Sequence, residues 1–411
     1  MSCLFYVIML SMNKLALKKN TCSYCGESPI NHYFAFLESA IFFNLDNHVK
    51  KFIKYVPSFV KDFVDLVPEF LFKTLVFVKI AKFSNDIDKA NTFRSRIIWE
   101  EAKKRDILME QVIFLGKPLD QYRALLKIKN KSKYYYFESI PIRPEFLDKH
   151  ISWDDKVVMK QEFKKYKIPV PDYVELSALL LPSLKKLEKI FANIKKPIIV
   201  KPRVGSRGRH TVTHINDLLQ FRMGITIARK ICSQLIVEEH LYGDVCRATV
   251  IGDKLMGFYR GSLPQIVGDG QRTIKQLIDQ KNKEKIYKYH IRMDDELHDH
   301  IKRLGWGIED VLTLGLNISL SHRRGQLFGG ATSEMIDELH PSFIPIFEKA
   351  ARVMDVSVVG FDAIIPDPTK DASSQSWGII ECNTLPFIDM HYYALEGKPK
   401  NIAGAIWDMW N

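Results

Sequence analysis

Two strand-like segments close to the end of the chain carry oxygen-bearing side chains. Asp362 lies in one segment, and Glu381 and Asn383 lie in the other. Residues two apart on a strand point to the same face, so Glu381 and Asn383 project together while Cys382 points away. If the strand that bears Asp362 is a neighbour, three oxygen ligands converge, and such hard donors suit Mg²⁺. The alternative is a solvated strand edge with an Asn-Thr turn. This alternative is less favoured, because Glu381 directly follows the apolar run 377–380.

A lysine at the end of a short apolar strand has the chemistry to bind phosphate. Lys201 ends the segment 197–201, and a loop that contains Gly205 and Gly208 follows it. Glycine has no Cβ, so the backbone amides of such a loop can approach phosphate oxygens closely, and the lysine adds a point charge. The spacing is neither that of a P-loop nor that of a dinucleotide fingerprint, and a plain surface turn is the alternative.

A third segment joins a strand to a polar linker. Residues 235–238 have the pattern of a strand, and residues 239–244 follow with two charged side chains, a glycine and a tyrosine among them. The backbone amides and carboxylates of this segment could hold a base and a ribose. A generic exit from a strand into a loop has the same pattern.

Six cysteines are scattered along the chain, too sparsely for a disulfide scaffold. Cys22 and Cys25 form a C-x-x-C pair, and His32 and His48 follow it. A tetrahedral zinc site needs four ligands, and no second C-x-x-C and no H-x-x-x-H supplies the missing pair. Two reduced surface thiols are therefore the favoured interpretation, with zinc as the alternative.

The composition is that of a folded, basic protein. Of 411 residues, 46% are hydrophobic and 26% are charged, which excludes wholesale disorder, and the length suggests about two to three domains. Lys and Arg number 60 against 48 Asp and Glu, and this net charge of +12 favours anionic partners such as nucleotides, nucleic acid or a membrane surface. Lysine-rich proteins reach the same balance without binding nucleic acid, and we expect no nucleic-acid partner here.

The elements that must position these side chains fall into three predicted regions. Residues 1–90 form a helical, aromatic-rich region, residues 91–150 a small α/β unit, and residues 151–411 one larger domain in which helices alternate with short apolar strands. Charges interrupt the hydrophobic segment 57–83, so we expect an amphipathic helix pair, packed on the protein or on a membrane face, rather than a spanning helix. The start of the chain lacks the pattern of a signal peptide, which favours a cytoplasmic location.

The order and spacing of these segments resemble the ATP-grasp superfamily over residues 150–411. The likeness is greatest to the ATP-grasp region of cyanophycin synthetase, and it is more distant to D-alanine–D-alanine ligase and glutathione synthetase. The resembling segments are Asp155-Lys156, Val200-Lys201-Pro202, Gly205-Ser206-Arg207-Gly208, Val237-Glu238, Gly243-Asp244, Val267-Gly268-Asp269-Gly270, Gly329-Gly330-Ala331-Thr332, His340-Pro341, Gly360-Phe361-Asp362, Glu381-Cys382-Asn383-Thr384, Met390-His391 and Gly397-Lys398-Pro399-Lys400-Asn401.

The resemblance implies an α/β ATP-grasp fold, preceded by the small α/β unit and the helical region, and a role for each matching residue. It implies that Lys156 and Lys201 contact the phosphates of ATP and that a loop containing Gly205, Ser206 and Gly208 covers them. The other implied residues are Glu238, Glu239 and Leu241 at adenine, Asp244 at the ribose, Asp362, Glu381 and Asn383 at Mg²⁺ (or Mn²⁺), and Arg247 and Arg260 at the phosphates or the substrate carboxylate.

The sequence also departs from the family pattern. His210 and Thr211 stand where the family loop often has Gly and Val. Val245 stands where a second acidic residue often follows, and Phe387 stands where related ligases commonly have Gly. Cyanophycin synthetase has a further ligase domain after this region, so a complete cyanophycin cycle is not expected from this chain.

The activity that the resemblance implies is ATP-dependent ligation of a carboxylate to an amine through an acyl phosphate, with amino acids or peptides as substrates. One alternative is a kinase of the same fold that stops at phosphoryl transfer. Another is a non-enzymatic basic protein that binds RNA or an anionic membrane through its first 90 residues. The segment 261–330 would build the acceptor pocket, and the apolar segment 57–83 is compatible with a homo-oligomer.

Overall fold

Four β-sheets carry the strands in the described part of this computed structural model. The structure describes residues 22–25, 30–53, 70, 72–128, 131–143, 145–146, 155–205, 208–283, 291–321, 330 and 332–410. The helices are α1 (His32–Ile53), α2 (Phe93–Lys104), α3 (Lys156–Lys165), α4 (Leu184–Asn193), α5 (Leu218–Arg229), α6 (Ile274–Lys283), α7 (Asp295–Arg303), α8 (Ile344–Met354) and α9 (Ile402–Asp408). None of the helices that the structure describes combines the length and the apolar character needed to cross a membrane.

The strands follow the same chain order. They are β1 (Ala81–Ser84), β2 (Met109–Phe114), β3 (Lys117–Ile128), β4 (Lys131–Glu138), β5 (Tyr173–Ser177), β6 (Ile198–Pro202), β7 (Val212–Ile215), β8 (Gln234–Glu239), β9 (Asp244–Ile251), β10 (Lys254–Gly261), β11 (Gln265–Val267), β12 (Asn317–Ser319), β13 (Thr332–Glu334), β14 (Val358–Ile365), β15 (Gly378–Asn383) and β16 (Glu396–Gly397).

The first sheet has the order β1-β2-β3-β4 and is antiparallel throughout. Helices α2 and α9 cover it, and Trp99, Tyr122 and Trp407 fill the core between them. The amphipathic-helix prediction for residues 57–83 is wrong at Ala81–Ser84, because these residues pair with β2 as a strand. Residues 57–69 lie outside the described residues. The small α/β unit therefore includes a strand that precedes residue 91 and a helix from the end of the chain.

A second antiparallel sheet, in the order β5-β8-β6-β7, carries the predicted phosphate-binding strand. Helices α4 and α5 pack on it through Leu187, Phe221 and Ile225, which are buried with Val200 of β6. The predicted phosphate loop connects β6 to β7, and the predicted adenine linker follows β8. The two segments that are predicted to bind the nucleotide therefore follow adjacent strands of this sheet.

The largest sheet, in the order β15-β14-β9-β10-β13-β16, carries the predicted metal ligands. Its core face packs on α8 and α3, where Phe163, Phe347 and Phe361 are fully buried. Because side chains alternate along a strand, Phe361 enters this core and Asp362 lies on the opposite face. The period of two thus directs the polar side chains of β14 away from the core.

Residues 265–320 form a small module between β10 and β13. Strands β11 and β12 pair, and α6 and α7 pack on them around their own core of Ile266, Ile278 and Leu312. The sequence analysis assigned this region to the acceptor pocket and predicted no separate core in it, because both helices are short and most of their residues are charged or polar. Arg303 of α7 donates to the Thr213 carbonyl of β7 at 2.8 Å, which joins the module to the second sheet.

Candidate active site

The two strands that carry the predicted metal ligands are neighbours. β14 and β15 pair with Asp362 directly opposite Glu381, and Asn383 lies two residues further along β15. Asn383 Nδ2 donates to Asp362 Oδ2 at 3.4 Å, while Cys382 is buried in the core. The structure thus brings three oxygen-bearing side chains together, as the ligand hypothesis requires. Metal binding itself stays a prediction.

Arg247 occupies the next position on this face of the sheet. It lies on β9 opposite Asp362 and holds both carboxylate oxygens, with Nε–Oδ1 at 2.6 Å and Nη2–Oδ2 at 2.9 Å. Gly360 leaves room for it, since a Cβ there would lie 2.9 Å from Arg247 Cδ. Burial opposes the charge of Arg247, but Asp362 outweighs burial and raises the pKa of the guanidinium. The remaining nitrogen, Nη1, is buried and donates to no described residue.

Lys156 links the phosphate loop to the strand of metal ligands. It is the first residue of α3, which Asp155 caps, and Arg203 pairs with the Asp155 carboxylate at 2.8 Å. Lys156 Nζ donates to Gly205 O at 2.7 Å and lies 3.5 Å from Glu381 Oε2. An ammonium group, a loop carbonyl and a predicted ligand carboxylate therefore meet at one point.

Glu238 lies beneath the site, between two lysines. Its carboxylate is 2.9 Å from Lys201 Nζ and 3.3 Å from Lys160 Nζ, and the side chain is 1% exposed. Burial alone would raise the pKa of Glu238, but the two positive charges outweigh burial and lower the pKa. The Glu238 carboxylate is thus committed to the lysines, and the predicted adenine contact falls to the linker beyond it.

Sequence reasoning missed Lys160. This residue lies one helical turn after Lys156 on α3, is fully buried, and places Nζ 3.3 Å from Ile380 O. Burial lowers the pKa of Lys160 to about 7. The available signal was a lysine between Met159 and Phe163, on the face that an amphipathic helix normally gives to apolar residues.

The linker after β8 contains one amide without a backbone acceptor. The Glu239 amide donates to Asp172 O and the Glu239 carboxylate accepts from the Asp172 amide, both at 3.0 Å. The His240 amide donates to Pro197 O at 3.0 Å. Leu241 is buried, and its amide donates to no backbone carbonyl of the described residues. Of these three amides, that of Leu241 is therefore the best suited to a base.

Asp244 and Arg260 lie on neighbouring strands and pair with each other. Arg260 Nε donates to Asp244 Oδ2 at 2.6 Å. Burial opposes the charge of Arg260, but Asp244 outweighs burial and raises its pKa. A ribose bound by Asp244 would share the carboxylate with this arginine, while 40% of the Arg260 side chain is exposed for another partner. The sequence predicted both residues but not their pairing.

The phosphate loop has the backbone that its glycines suggested. Gly205 and Gly208 have φ values of +106° and +61°, in the region that favours glycine. Ser206, which was predicted to take part in phosphate binding, lies outside the described residues. The described ends of the loop thus support a tight turn next to Lys156.

A buried histidine in the segment after β15, His391, contacts two strands of the largest sheet. His391 Nε2 lies 2.7 Å from Thr249 Oγ1 on β9, and His391 Nδ1 contacts the Glu334 carboxylate on β13. Gly257 of β10 is required beside it, because a Cβ there would lie 2.7 Å from His391 Nδ1. This network holds the segment after β15 against the strands that carry Arg247 and Arg260.

Two curated proteins are similar to this chain over more than half of its length. Over 221 residues, the chain is 25% identical to the cyanophycin synthetase of Trichormus variabilis, a match that covers 52% of this chain and 24% of that protein. Over 334 residues, it is 26% identical to the glutathione biosynthesis bifunctional protein GshAB of Listeria innocua, covering 76% of this chain and 40% of that protein. These relatives support the predicted resemblance of the chain to the ATP-grasp superfamily.

The likeness has clear limits. No protein-family model matches the chain. A solved bifunctional glutathione synthetase from Pasteurella multocida is 22% identical, with a TM-score of 0.48, over 77% of this chain and 44% of that one. The chain spans less than half the length of each of these ATP-grasp relatives. The predicted resemblance and the mixed α/β fold class are confirmed, while the roles of individual residues stay predictions.

The donors of this candidate site fit a divalent metal bound together with a polyphosphate. Asp362, Glu381 and Asn383 offer the oxygen ligands that Mg²⁺ prefers. Arg247 Nη1 is a buried donor without a described acceptor, and the Lys156 ammonium lies beside the loop. Positive and negative groups alternate over a few ångströms, as a metal–phosphate complex requires.

Proposed function

We propose that this protein is an ATP-dependent carboxylate–amine ligase that forms an amide or peptide bond through an acyl phosphate. The observation that carries the proposal is the contact among Lys156, Gly205 and Glu381, which joins the phosphate loop to the strand of oxygen ligands. Phosphoryl transfer is catalysed mainly by positioning and by neutralising charge, and this contact brings together groups suited to both.

The proposed reaction has two steps. A carboxylate is a poor electrophile, so one of its oxygens first attacks the γ-phosphorus of ATP, the bond to the β,γ-bridging oxygen breaks, and ADP leaves. The amine nitrogen then attacks the acyl carbon, inorganic phosphate leaves with the C–O electron pair, and the nitrogen loses a proton. Neither step needs a side-chain nucleophile, because ATP supplies the activated intermediate.

The oxygen ligands and lysines would bind the nucleotide. A bound Mg²⁺ ion, held by Asp362, Glu381 and Asn383, would supply charge neutralisation at the transferring phosphate. Lys156 and Lys201 would contact phosphate oxygens as point charges. The strand position of Lys201 and its ion pair with buried Glu238 keep its ammonium group in place before ATP arrives.

The two arginines would stabilise the charge that develops during transfer. Asp362 holds Arg247 in place, and Arg247 Nη1 would donate to an oxygen of the phosphoryl group during its transfer. Arg260 is more exposed and would orient the substrate carboxylate, with Asp244 shared between it and the ribose. The Leu241 amide would donate to adenine.

Amino acids or short peptides are the proposed substrates. β11 directly follows β10, the strand that carries Arg260, and this connection supports the 265–320 module as the acceptor side of the site. The named relatives make cyanophycin and glutathione, and both names point to amide bonds between amino acids or peptides. We further propose Mg²⁺ or Mn²⁺ as the metal, a cytoplasmic location and no nucleic-acid partner; a homo-oligomer is compatible with this function.

ADP release tests the proposal directly. The purified full chain is incubated with Mg·ATP and a pool of amino acids and short peptides, with Glu381→Ala as the inactive variant. Glu188→Gln is the matched control, because Glu188 is exposed on α4 far along the chain from the ligands. We expect ADP release that needs the pool, persists in the control and is lost in Glu381→Ala. Equal release by Glu381→Ala, or phosphorylation of an alcohol without any amine, would refute the ligase assignment.

A further inference from the structure

A second cluster of ligating side chains lies outside the nucleotide site. Cys22, Cys25, His32 and His210 bring their sulfur and nitrogen atoms within 4.8 Å of one another. Cys25 Sγ is 3.2 Å from His32 Nε2 and 3.5 Å from His210 Nε2. Cys22 Sγ is 3.7 Å from His210 Nε2, and the two Nε2 atoms are 3.2 Å apart. The four ligand atoms therefore face a common centre.

These separations match the edges of a tetrahedron around zinc. With Zn–S near 2.3 Å and Zn–N near 2.0–2.1 Å, an ideal tetrahedron has S···N edges of about 3.6 Å and an N···N edge of about 3.4 Å. Hydrogen bonds alone do not explain the cluster, because His210 Nε2 carries at most one proton but lies near two sulfurs and a second imidazole nitrogen. A shared metal ion explains all the short contacts together.

Groups around the cluster orient the ligands. His210 Nδ1 lies 2.7 Å from Ile227 O, so Nδ1 donates its proton to this carbonyl and Nε2 is left with a free lone pair for a metal. The backbone of Ile30 hydrogen-bonds the Cys25 sulfur. Cys25 and His210 are both buried. Such support from outside the ligand set is typical of a built metal site.

We propose that Cys22, Cys25, His32 and His210 bind a structural Zn²⁺ ion. Two thiolates and two imidazoles form a Cys₂His₂ set, which zinc takes in preference to Mg²⁺, and four protein ligands leave no open position for substrate. Sequence reasoning favoured two free thiols and considered His48 as a fourth ligand. His48 lies sixteen residues after His32 on the same helix, about 24 Å along its axis, so both cannot bind one ion. His210 takes that place.

The zinc site would fasten the start of the described chain to the end of the phosphate loop. His210 follows Gly208 by two residues, and its amide donates to Tyr24 O at 3.0 Å. The Tyr24 hydroxyl donates to Asp299 of α7, in the 265–320 module. The metal would thus restrict one end of the loop that is proposed to cover ATP.

Metal analysis of the full chain tests the zinc site without any variant. The protein is loaded with Zn²⁺, dialysed, and measured by elemental analysis; in parallel, Co²⁺ is added to the metal-free protein. We expect roughly one zinc ion per chain and a cobalt spectrum with the visible bands of a tetrahedral site and thiolate-to-metal charge transfer. Zinc well below one ion per chain together with an octahedral cobalt spectrum would overturn the proposal.

Variants then assign the ligands. Cys25→Ser and His210→Asn should lose the ion and the cobalt–thiolate bands, whereas Cys232→Ser and His48→Gln should retain both. Cys232 is a suitable control because it is buried but donates to Gln234 O, outside the cluster. Loss of zinc from the controls as well, or full zinc in Cys25→Ser, would refute this ligand set; circular dichroism of each variant checks that it folds.

Discussion

The proposed nucleotide site and the cysteine–histidine cluster differ in how their ligand atoms are held before a cation binds. In the nucleotide site, each ligand carboxylate already has a positive neighbour, since Asp362 holds Arg247 and Glu381 lies near Lys156. In the cluster, the ligand atoms approach one another, and hydrogen bonds from outside fix their directions. The first arrangement suits an ion that comes and goes with ATP, and the second suits an ion that stays.

The difference lies in competition for the ligands. A carboxylate that holds an arginine binds a free metal ion less tightly, so the nucleotide site favours a metal that arrives with the negative charge of ATP phosphates. Thiolates and imidazoles without such partners bind zinc tightly, and an ion with four protein ligands does not exchange during turnover. The two sites should therefore respond differently to substitution, pH and chelators.

The largest effect should come from Asp362→Asn. The amide keeps the shape of the side chain but removes the charge shared by the metal and Arg247, so we expect the rate of ADP formation to fall by about 10²–10³-fold at saturating Mg·ATP. Asp253→Asn, in the exposed turn between β9 and β10, is the matched control. If Asp362→Asn lowers only the melting temperature and leaves the rate intact, the residue serves structure and the contrast between the two sites is lost.

A smaller effect should come from Lys160, in the buried part of the proposed nucleotide site. Burial lowers the pKa of Lys160 to about 7, whereas an unfolded lysine titrates near about 10.4. The unfolded chain therefore binds the proton more tightly, and the contribution of Lys160 to the free energy of unfolding grows as pH rises from about 7 toward 10 and is lost as pH falls back to 7.

Urea denaturation of Lys160→Met and the wild type measures this contribution. We expect the free energy of unfolding of the wild type, relative to that of Lys160→Met, to increase between about pH 7 and pH 9, by at most about 1.4 kcal/mol per pH unit. Lys185→Met, on the exposed face of α4, should show no such trend. A difference that stays flat with pH would mean that Lys160 is charged in the folded protein throughout this range.

The smallest effect should separate the zinc ion from catalysis. A zinc-selective chelator, applied in excess Mg²⁺, should raise the KM for ATP several-fold with little change in kcat, because the ion holds the loop and not the reacting atoms. Cys25→Ser should not respond to the chelator. A fall in kcat at unchanged KM would place the ion in the chemistry instead and would erase the distinction drawn between the two sites.

Local sequence patterns were enough to predict the part of the site that lies on neighbouring strands or in a single loop. The alternation around Asp362 and Glu381 predicted one polar face, and β14 and β15 do pair with these residues opposite each other. The glycines of the phosphate loop predicted a backbone that phosphate could approach closely, and Gly205 and Gly208 do have positive φ values. These features depend on neighbours in the sequence or on adjacent strands, so the sequence carries them directly.

Features that depend on distant contacts were not predictable in this way. His210 is 178 residues from His32, and nothing near either residue signals the other. Lys160 stands in the apolar face of α3, where charge is disfavoured unless Glu238 approaches from another sheet. The 265–320 module was missed because its short helices are rich in charge and only their packed core defines them.

That separate core has an evolutionary consequence. Because Ile266, Ile278 and Leu312 pack within the 265–320 module, mutations on its surface can accumulate without disturbing the sheets that carry the proposed nucleotide site. The module is tied to the rest of the chain at a few points, such as the bond between Arg303 and Thr213. The surface of the module could therefore change in the course of evolution, and the proposed acceptor could change with it, while the proposed nucleotide site stays the same.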